Sequence, residues 1–222
     1  MTEPVGAKGA RFVVLEGGEA SGKSTQAARL GDRLGAVLTR EPGGTTIGAG
    51  LRGLLLDART TGLDDRAEAL LMAADRAQHV AEVVRPALAA GRHVVSDRYV
   101  GSTLAYQGYG RGLDLALLRS LNEIASQGII PDLTFLLDLP PAVGLTRTRE
   151  RGLAAAKSKP GSQKPGDRFE QEALEFHERV RSGFLKLAQE EPQRIIVLDA
   201  RLPPVEVHEQ IKRIMGQRLR AN

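Results

Sequence analysis

Short apolar runs separated by longer amphipathic stretches are the dominant pattern along this chain. Five runs are rich in Val, Ile, Leu or Phe and contain few alternating polar positions, which is typical of parallel strands buried on both faces of a sheet. The predicted strands are 11–16, 36–39, 93–97, 133–138 and 194–198.

Helical periodicity fills the segments between these runs. Helices are predicted over 23–34, 47–56, 64–90, 114–127 and 205–219. Asp64 or Asp65 suits the N-cap of the third helix, and Pro86 is expected to break or kink it. Asp114 is the predicted N-cap of the fourth helix, and Gly128 is expected to stop it.

A further amphipathic helix is predicted from apolar residues spaced three or four apart. They are Phe169, Ala173, Phe176, Val180, Phe184 and Leu187. The alternation of strands and helices predicts an α/β fold, an open five-stranded parallel sheet with helices on both faces. A length of 222 residues favours one domain, 1–222, with a flexible tail at 1–10.

Composition narrows the classes of protein. The chain has no cysteine, which excludes disulfides and Cys-ligated metal sites and favours a reducing compartment, here expected to be the cytoplasm. It has no run of 18 apolar residues, so no membrane partner is expected. Five Phe, three Tyr and no Trp offer few stacking platforms, so a nucleic-acid partner is not expected either.

The net charge of +4 is concentrated in one segment. Residues 147–168 contain four Arg and three Lys against two acidic residues. Within this segment, "GLAAAKSKPGSQKPGD" (152–167) is rich in Gly, Pro, Lys and Ser and has few apolar anchors. This stretch is either a plain solvated linker or part of a mobile lid at about 147–169.

The motif "GGEASGKS", Gly17 to Ser24, follows a predicted strand and precedes a predicted helix. It matches G-x-x-x-x-G-K-[ST], in which glycines let the backbone wrap a phosphate and the helix N-terminus favours an anion. Lys23 supplies a charge for the β- and γ-phosphates, and the Ser24 hydroxyl can ligate Mg²⁺. The segment is therefore predicted to bind ATP with Mg²⁺.

The fate of the triphosphate depends on the rest of the chain. The chain contains no Asn-Lys-x-Asp element for a GTPase and no acidic pair closing a strand for a helicase-type motor. A small kinase remains, with a second substrate opposite the phosphate loop. The stretch "VVSDRYVGSTLAYQGYGRG" (94–112) suits that second site, because Asp97 can reach Mg²⁺ and Arg98 can bridge donor and acceptor phosphates.

Several motifs together resemble the thymidylate kinase family. They are "EGGEASGKST", "TREPGG", "LRGLLLD", "AADRAQH", "SDRYVGSTLAYQGYGRG", "PDLTFLLD" and "DRFEQEALEFHERV", in this order and over nearly the whole chain. The resemblance implies a nucleoside monophosphate kinase fold with a mobile lid. It also implies a homodimer and the Mg²⁺-dependent phosphorylation of dTMP to dTDP by ATP.

The resemblance implies three groups of site residues. The catalytic positions are Glu19, Lys23, Arg98 and Arg168. The ATP-binding positions are Gly17, Gly18, Glu19, Ala20, Ser21, Gly22, Lys23, Ser24, Thr25, Arg147 and Arg151, with Mg²⁺ at Ser24 and Asp97. The dTMP-binding positions are Glu19, Arg40, Pro42, Arg52, Met72, Arg76, Arg98, Thr103, Tyr106 and Gln107.

Individual roles follow from the matching positions. Arg52 and Arg98 are implied to bind the acceptor phosphate, Arg76 with Thr103 and Gln107 to read thymine, and Tyr106 to disfavour a ribose. Glu19 is implied to lie near the 3′-hydroxyl, and Arg40, Glu41 and Pro42 to line the pocket.

One position distinguishes subgroups of the family, and two other features depart from the family pattern. Ala20 stands where one subgroup has an arginine, so a lid arginine, here Arg168, is expected to reach the phosphates; Arg147, Arg149 and Arg151 are candidates for adenine and the donor phosphates. Met72 replaces a common aromatic residue, and the lid insert is longer than usual. A kinase for another nucleotide or deoxynucleoside, and an ATP-binding switch protein, remain as alternatives.

Overall fold

The five predicted strands form one parallel sheet. The computed structural model describes residues 9–158 and 167–220. The strands are β1 (Phe12–Glu16), β2 (Val37–Arg40), β3 (Val94–Asp97), β4 (Leu133–Asp138) and β5 (Ile195–Asp199). Their order across the sheet is β2-β3-β1-β4-β5. β2 and β3 lie on one side of the central strand β1, and β4 and β5 lie on the other, which confirms the expected open α/β architecture.

Helices cover both faces of this sheet. They are α1 (Lys23–Leu34), α2 (Thr46–Leu56), α3 (Asp65–His79), α4 (Arg85–Ala89), α5 (Val100–Thr103), α6 (Leu115–Ser126), α7 (Pro141–Ser158), α8 (Leu174–Glu190) and α9 (Pro204–Arg220). Two π-helical segments, Val80–Val84 and Leu104–Gly110, continue α3 and α5.

The central strand shows why the sheet needs helices on both faces. Val13 and Leu15 of β1 pack in the cluster that contains Leu30 of α1 and Ile211 of α9. Phe12 and Val14 pack in the opposite cluster, with the π-helical segment Val80–Val84 and with α4. The prediction of burial on both faces is correct for the inner strands and wrong for the edge strands β2 and β5, which are only partly buried because each has one neighbour.

The predicted break at Pro86 is not observed, because the helix passes through this residue. The backbone N–H of Arg85 bonds to the carbonyl of Val80, five residues back, in the π-helical segment. Proline has no N–H to donate, and the widened turn directly before it lets α4 continue from α3 without a stop.

The helix predicted to contain Phe169 and Ala173 begins later, at Leu174. A separate turn precedes it, in which the N–H of Asp167 donates to Glu170 and the N–H of Glu170 donates back to Asp167. This reciprocal pairing closes the turn locally, so the apolar spacing across residues 169–173 does not reflect helix. The later apolar positions of the pattern are buried in α8 as expected.

Parts of the expected domain organisation fall outside the described residues. These are most of the tail at 1–10 and the stretch 159–166 inside the expected lid. No helix within the described ranges is long and apolar enough to cross a membrane. Leu70 on α3 is 59% exposed, which is compatible with a homodimer, but that assembly stays a prediction.

The N-cap of α3 offers a test of the helix assignment. Asp64 accepts hydrogen bonds from the N–H groups of Arg66 and Ala67. Asp64→Ala removes both acceptors, so we expect the free energy of unfolding to fall by about 1 kcal/mol in urea denaturation. Glu123→Ala, at an exposed position within α6, is the control and should change it by less than about 0.5 kcal/mol. Equal effects would contradict the cap.

Candidate active site

The pairing of β1 with β3 brings the two predicted functional segments together. Leu15 lies opposite Asp97 in the parallel register. The loop Gly17–Gly22 leaves the carboxyl end of β1, and Arg98 follows the carboxyl end of β3. The two segments therefore meet at one edge of the sheet, where open α/β folds bind ligands.

The N-terminus of α1 has the features of an anion-binding site. Gly22 is its N-cap at φ 92°, provides no side-chain cap, and the first turn contains no acidic residue. The first backbone bond into the cap is made by the N–H of Gln26 to the carbonyl of Gly22. The preceding N–H groups of the helix are therefore available to a phosphate.

Lys23 lies folded against the same loop. Its Nζ donates to the carbonyl of Gly18 at 2.6 Å and to Ser21 Oγ at 3.3 Å. Burial, together with the charge of Arg98, lowers the pKa of Lys23 to about 8, although Glu19 and Asp97 favour the charged form. A phosphate beside Lys23 would stabilise its ammonium group.

Arg98 joins the phosphate loop to the second segment. Its Nη1 donates to the Gly17 carbonyl at 3.0 Å, and its Nη2 donates to Glu19 Oε1 at 2.8 Å and to Tyr106 Oη at 3.1 Å. Its backbone has φ 76°, an uncommon conformation for a non-glycine residue. Backbone strain of this kind is often found where a side chain must be aimed at a ligand.

Glu19 is ionised by its neighbours. Burial alone would raise its pKa, but Arg98, Lys23 and the Tyr106 hydroxyl outweigh that effect and lower the pKa to about 2. Glu19 is therefore a carboxylate at neutral pH, and it connects the phosphate loop to Arg98 and Tyr106.

Glu16, which the sequence reasoning missed, holds the turn after Arg98. Its carboxylate accepts from the N–H of Tyr99 at 3.0 Å and from both the N–H and the hydroxyl of Ser102, at 3.0 and 2.6 Å. Burial raises the pKa of this carboxyl despite those bonds. The side chain fixes the short helix α5 against the end of β1.

Ser24 and Asp97 form a pair that fits Mg²⁺. The Ser24 hydroxyl donates to Asp97 Oδ2 at 2.5 Å, while the buried Asp97 Oδ1 has no hydrogen-bond partner. Hydroxyl and carboxylate oxygens are ligands that Mg²⁺ prefers. Within residues 9–158 and 167–220, no cluster of three or more His, Cys, Asp or Glu could hold a metal.

A cleft beside Arg98 collects most of the residues predicted for the acceptor. Those found in its wall are Glu19, Glu41, Pro42, Arg52, Met72, Arg76, Arg98, Thr103, Tyr106 and Gln107. Arg40 is exposed at the end of β2 and does not line this cleft. Leu56, Asp167 and Phe169 complete one side of the cleft.

Arg76 is held rigidly at the cleft wall. Four of its five N–H hydrogens are engaged within the described residues, by Glu41, Thr103, Asn122 and the carbonyl of Tyr99. One Nη2 hydrogen is left for a ligand acceptor. The guanidinium is only 2% exposed, so its direction is set before any ligand arrives.

The Glu41 carboxylate that accepts from Arg76 also contacts His79. His79 Nδ1 lies 2.8 Å from Glu41 Oε1, and His79 Nε2 lies 2.7 Å from Thr39 Oγ1. The imidazole is fully buried. The chain of contacts connects the end of β2 to α3 and restricts Arg76 to one position.

The aromatic side of the cleft is formed by Tyr106. Its ring packs edge-on against Phe169, Phe176 and Phe184. Its hydroxyl donates to Glu19 Oε1 at 2.7 Å. Met72 packs against the same cluster, at the position where the family often has an aromatic residue.

Arg52 adds a second cation to the cleft. Its Nη1 donates to the carbonyl of Pro42 at 2.9 Å. Burial, with the nearby charge of Arg40, lowers the pKa of Arg52, although Asp167 opposes this. An anionic group beside Arg52 would stabilise its charged form and offset the cost of burial.

A second cleft lies on the other side of the phosphate loop. Ala20, Ser21, Gly22 and Thr25 line it from the loop and α1, and Arg147 and Arg151 line it from α7. Arg147 donates to the carbonyl of Ala200 at 3.1 Å. Arg149 is exposed and does not line this cleft.

Arg168 lies on the acceptor side, away from the phosphate loop. Its N–H donates to the carbonyl of Leu56 and its Nε to that of Leu55, both at the end of α2. Its Nη2 makes a short ion pair with Glu68. In this conformation Arg168 is not among the residues beside Lys23, so its role at the donor phosphates stays a prediction.

A spacing in the sequence could have revealed one missed residue. Glu68, Met72 and Arg76 are separated by four residues each and therefore share one face of α3. A carboxylate four residues from a candidate base-binding side chain points to the same site. Glu68 is fully buried, whereas an isolated acidic residue on a helix is normally exposed.

Comparison with known proteins agrees with this geometry. A sequence model of the family described as thymidylate kinase matches residues 15–211. Thymidylate kinase of Solidesulfovibrio magneticus is 55% identical over 213 residues, which cover 94% of this chain and all of the relative. The corresponding protein of Desulfovibrio desulfuricans is 56% identical over 201 residues, 88% of this chain and 90% of the relative.

A solved structure supports the same assignment. The crystal structure of thymidylate kinase from Ehrlichia chaffeensis aligns with a TM-score of 0.72 at 31% identity and covers 93% of this chain and 99% of that chain. Sequence and fold agree over almost the whole length. The chain therefore belongs to the thymidylate kinase family.

Proposed function

We propose that this protein transfers the γ-phosphoryl group of ATP to dTMP and releases dTDP and ADP. Family membership supports the reaction. The observation that carries the proposal is the position of Arg98, which bonds to the Gly17 carbonyl of the phosphate loop and also lines the acceptor cleft. One guanidinium can therefore reach both phosphate groups between which transfer takes place.

The donor occupies the phosphate loop and the cleft beside it. The free N–H groups of α1 and the Lys23 ammonium receive the β- and γ-phosphates. Arg147 and Arg151 are assigned to the adenosine side, because both line that cleft. Ser24 and Asp97 hold Mg²⁺, which when bound offsets negative charge on the phosphates.

The acceptor occupies the cleft around Arg76 and Arg98. Arg52 and Arg98, which both line the cleft, bind its phosphate, because two guanidinium groups suit a dianion. Tyr106 and Glu19, which line the cleft, are assigned to the sugar, and the Tyr106 ring is assigned to disfavour a ribose 2′-hydroxyl. Met72 forms a flexible apolar wall for the base.

The base is recognised by groups of fixed hydrogen-bonding character. Thymine presents the acceptor O4 beside the donor N3–H. Arg76 can only donate, and its remaining Nη2 hydrogen suits O4. Gln107 and Thr103 can accept from N3–H. Cytosine reverses both characters, and would leave buried polar groups unpaired.

The chemical step is direct. An oxygen of the dTMP phosphate attacks the γ-phosphorus, the bond from that phosphorus to the β–γ bridging oxygen breaks, and the electron pair leaves with ADP. No covalent enzyme intermediate is required, because positioning and neutralisation of charge provide most of the acceleration. Arg98 and Lys23 supply positive charge on the two sides of the transferred group.

The first test measures ADP release with single acceptors. With ATP and Mg²⁺, dTMP should support rapid turnover, dUMP weaker turnover, and dCMP, UMP, AMP and thymidine little. Removal of Mg²⁺ with EDTA should stop the reaction. Faster turnover with a deoxynucleoside or another nucleotide would assign a different acceptor. ATP hydrolysis indifferent to every acceptor would favour a switch protein.

Arg98 provides the second test. Arg98→Ala removes the charge that spans both phosphates, so kcat/KM for dTMP should fall by about a thousandfold, while Kd for ATP should change by less than about threefold. Steady-state kinetics and calorimetric titration measure these values. Arg119→Ala is the matched control, since Arg119 forms an exposed ion pair with Glu190 far from the cleft. A normal kcat/KM in Arg98→Ala would disprove the assignment.

The lowered pKa of Lys23 predicts how ATP binding depends on pH. Its pKa is lowered to about 8 without ligand, and phosphate raises it, so binding takes up a proton above that pH. The affinity for MgATP should therefore fall as pH rises beyond about 8, by up to about tenfold per pH unit. Lys23→Arg stays charged and should bind with little change to about pH 9.5. An equally steep fall in that variant would exclude Lys23 as the cause.

A further inference from the structure

Glu68 is a fully buried carboxylate that the proposed reaction does not use. Its Oε1 accepts from Gln107 Nε2 at 2.7 Å. Its Oε2 makes the short ion pair with Arg168. Arg111 approaches both oxygens, at 3.4 and 3.3 Å. One side chain of α3 therefore holds groups from the π-helical segment Leu104–Gly110 and from the residues before α8.

The contact with Glu68 decides which way the Gln107 amide faces. A carboxylate can only accept hydrogen bonds, so Gln107 must turn its NH₂ group toward Glu68. Gln107 is 1% exposed and lines the acceptor cleft. The amide oxygen on the other branch is then the acceptor offered to the cleft, where N3–H of thymine needs one.

The second oxygen of Glu68 holds a wall of the same cleft. We call Asp167–Phe169 the strap. Asp167 and Phe169 line the cleft, and Phe169 packs against Tyr106 with ring centroids 5.5 Å apart. Arg168, between them, is tied to the end of α2 and to Glu68. The strap and the base-reading amide are thus fixed by one carboxylate.

We propose that Glu68 is a positioning residue for the acceptor base: it orients Gln107 so that thymine is preferred to cytosine, and it anchors the strap through Arg168. The proposal rests on the proposed function. It gives Arg168 a role on the acceptor side of the site. It also explains why a charged residue is kept in the buried interior of α3, where burial is costly unless it serves several donors.

Base selectivity is the readout that a purely structural role would not change. Glu68→Gln replaces the carboxylate with an amide that can donate as well as accept, so Gln107 can turn over and present NH₂ to cytosine. The ratio of kcat/KM for dTMP to that for dCMP should fall by about tenfold or more, while KM for ATP stays within about twofold. An unchanged ratio overturns the proposal.

A second variant keeps the test valid if Glu68→Gln does not fold. Glu68→Asp retains the negative charge facing Arg111 and Arg168 but is one methylene shorter and cannot serve both sides. Its selectivity ratio should also fall. The matched control is Glu172→Gln, which removes another carboxylate partner of Arg111, at 2.5 Å, without contacting Gln107. Its ratio should be unchanged, and a fall equal to that of Glu68→Asp overturns the proposal.

Arg168→Met separates the two arms of the proposal. It frees the strap but leaves Gln107 on Glu68, so KM for dTMP and dCMP should rise together and the ratio should hold. A loss of kcat by about a hundredfold with normal KM for dTMP would instead place Arg168 at the donor phosphates. Wild-type protein without dTMP turnover would refute the proposed function itself, independently of these variants.

Discussion

The parallel pairing of β1 with β3 is the constraint on which the site depends. β1 leads into the phosphate loop and β3 leads into Arg98, and their register sets Leu15 opposite Asp97. Because both strands are inner strands of the sheet, their ends cannot shift without disturbing a core on each face. The meeting point of donor and acceptor is thus defined by backbone hydrogen bonds, before any side chain contributes.

The pairing of charged side chains is the second feature that orders the site. Two arginines of the site are paired with carboxylates: Arg98 with Glu19, and Arg168 with Glu68. Arg52 has no such partner among the described contacts and bonds to a carbonyl instead. The site therefore keeps Arg98 and Arg168 ordered in the free protein, while Arg52 remains to pair with the acceptor phosphate that the proposed function places there.

Local sequence patterns predict the strands, most helices and the main motifs. They do not predict features that depend on contacts between residues far apart in the chain. Strands, the phosphate loop and the cap at Asp114 follow from patterns within a few residues. The start of α8 was misjudged because a reciprocal turn between Asp167 and Glu170 overrides a favourable apolar spacing. The partner of Arg168 is 100 positions away, at Glu68, and no local pattern shows such a pairing. Met72, by contrast, was placed in the cleft by resemblance and lies there.

The rigid hold on Arg76 has a consequence for inhibitor chemistry. With four donors committed and its carboxylate partner braced by His79, this arginine cannot rotate to meet a new ligand. A compound that competes for the proposed base site would therefore need an acceptor at one fixed position on its ring edge. The Met72 side chain, one turn away on the same face of α3, is different, because it has three rotatable bonds and a polarizable sulfur. Chemical diversity is best introduced on the face of the heterocycle toward Met72, with the edge toward Arg76 left as it is in thymine.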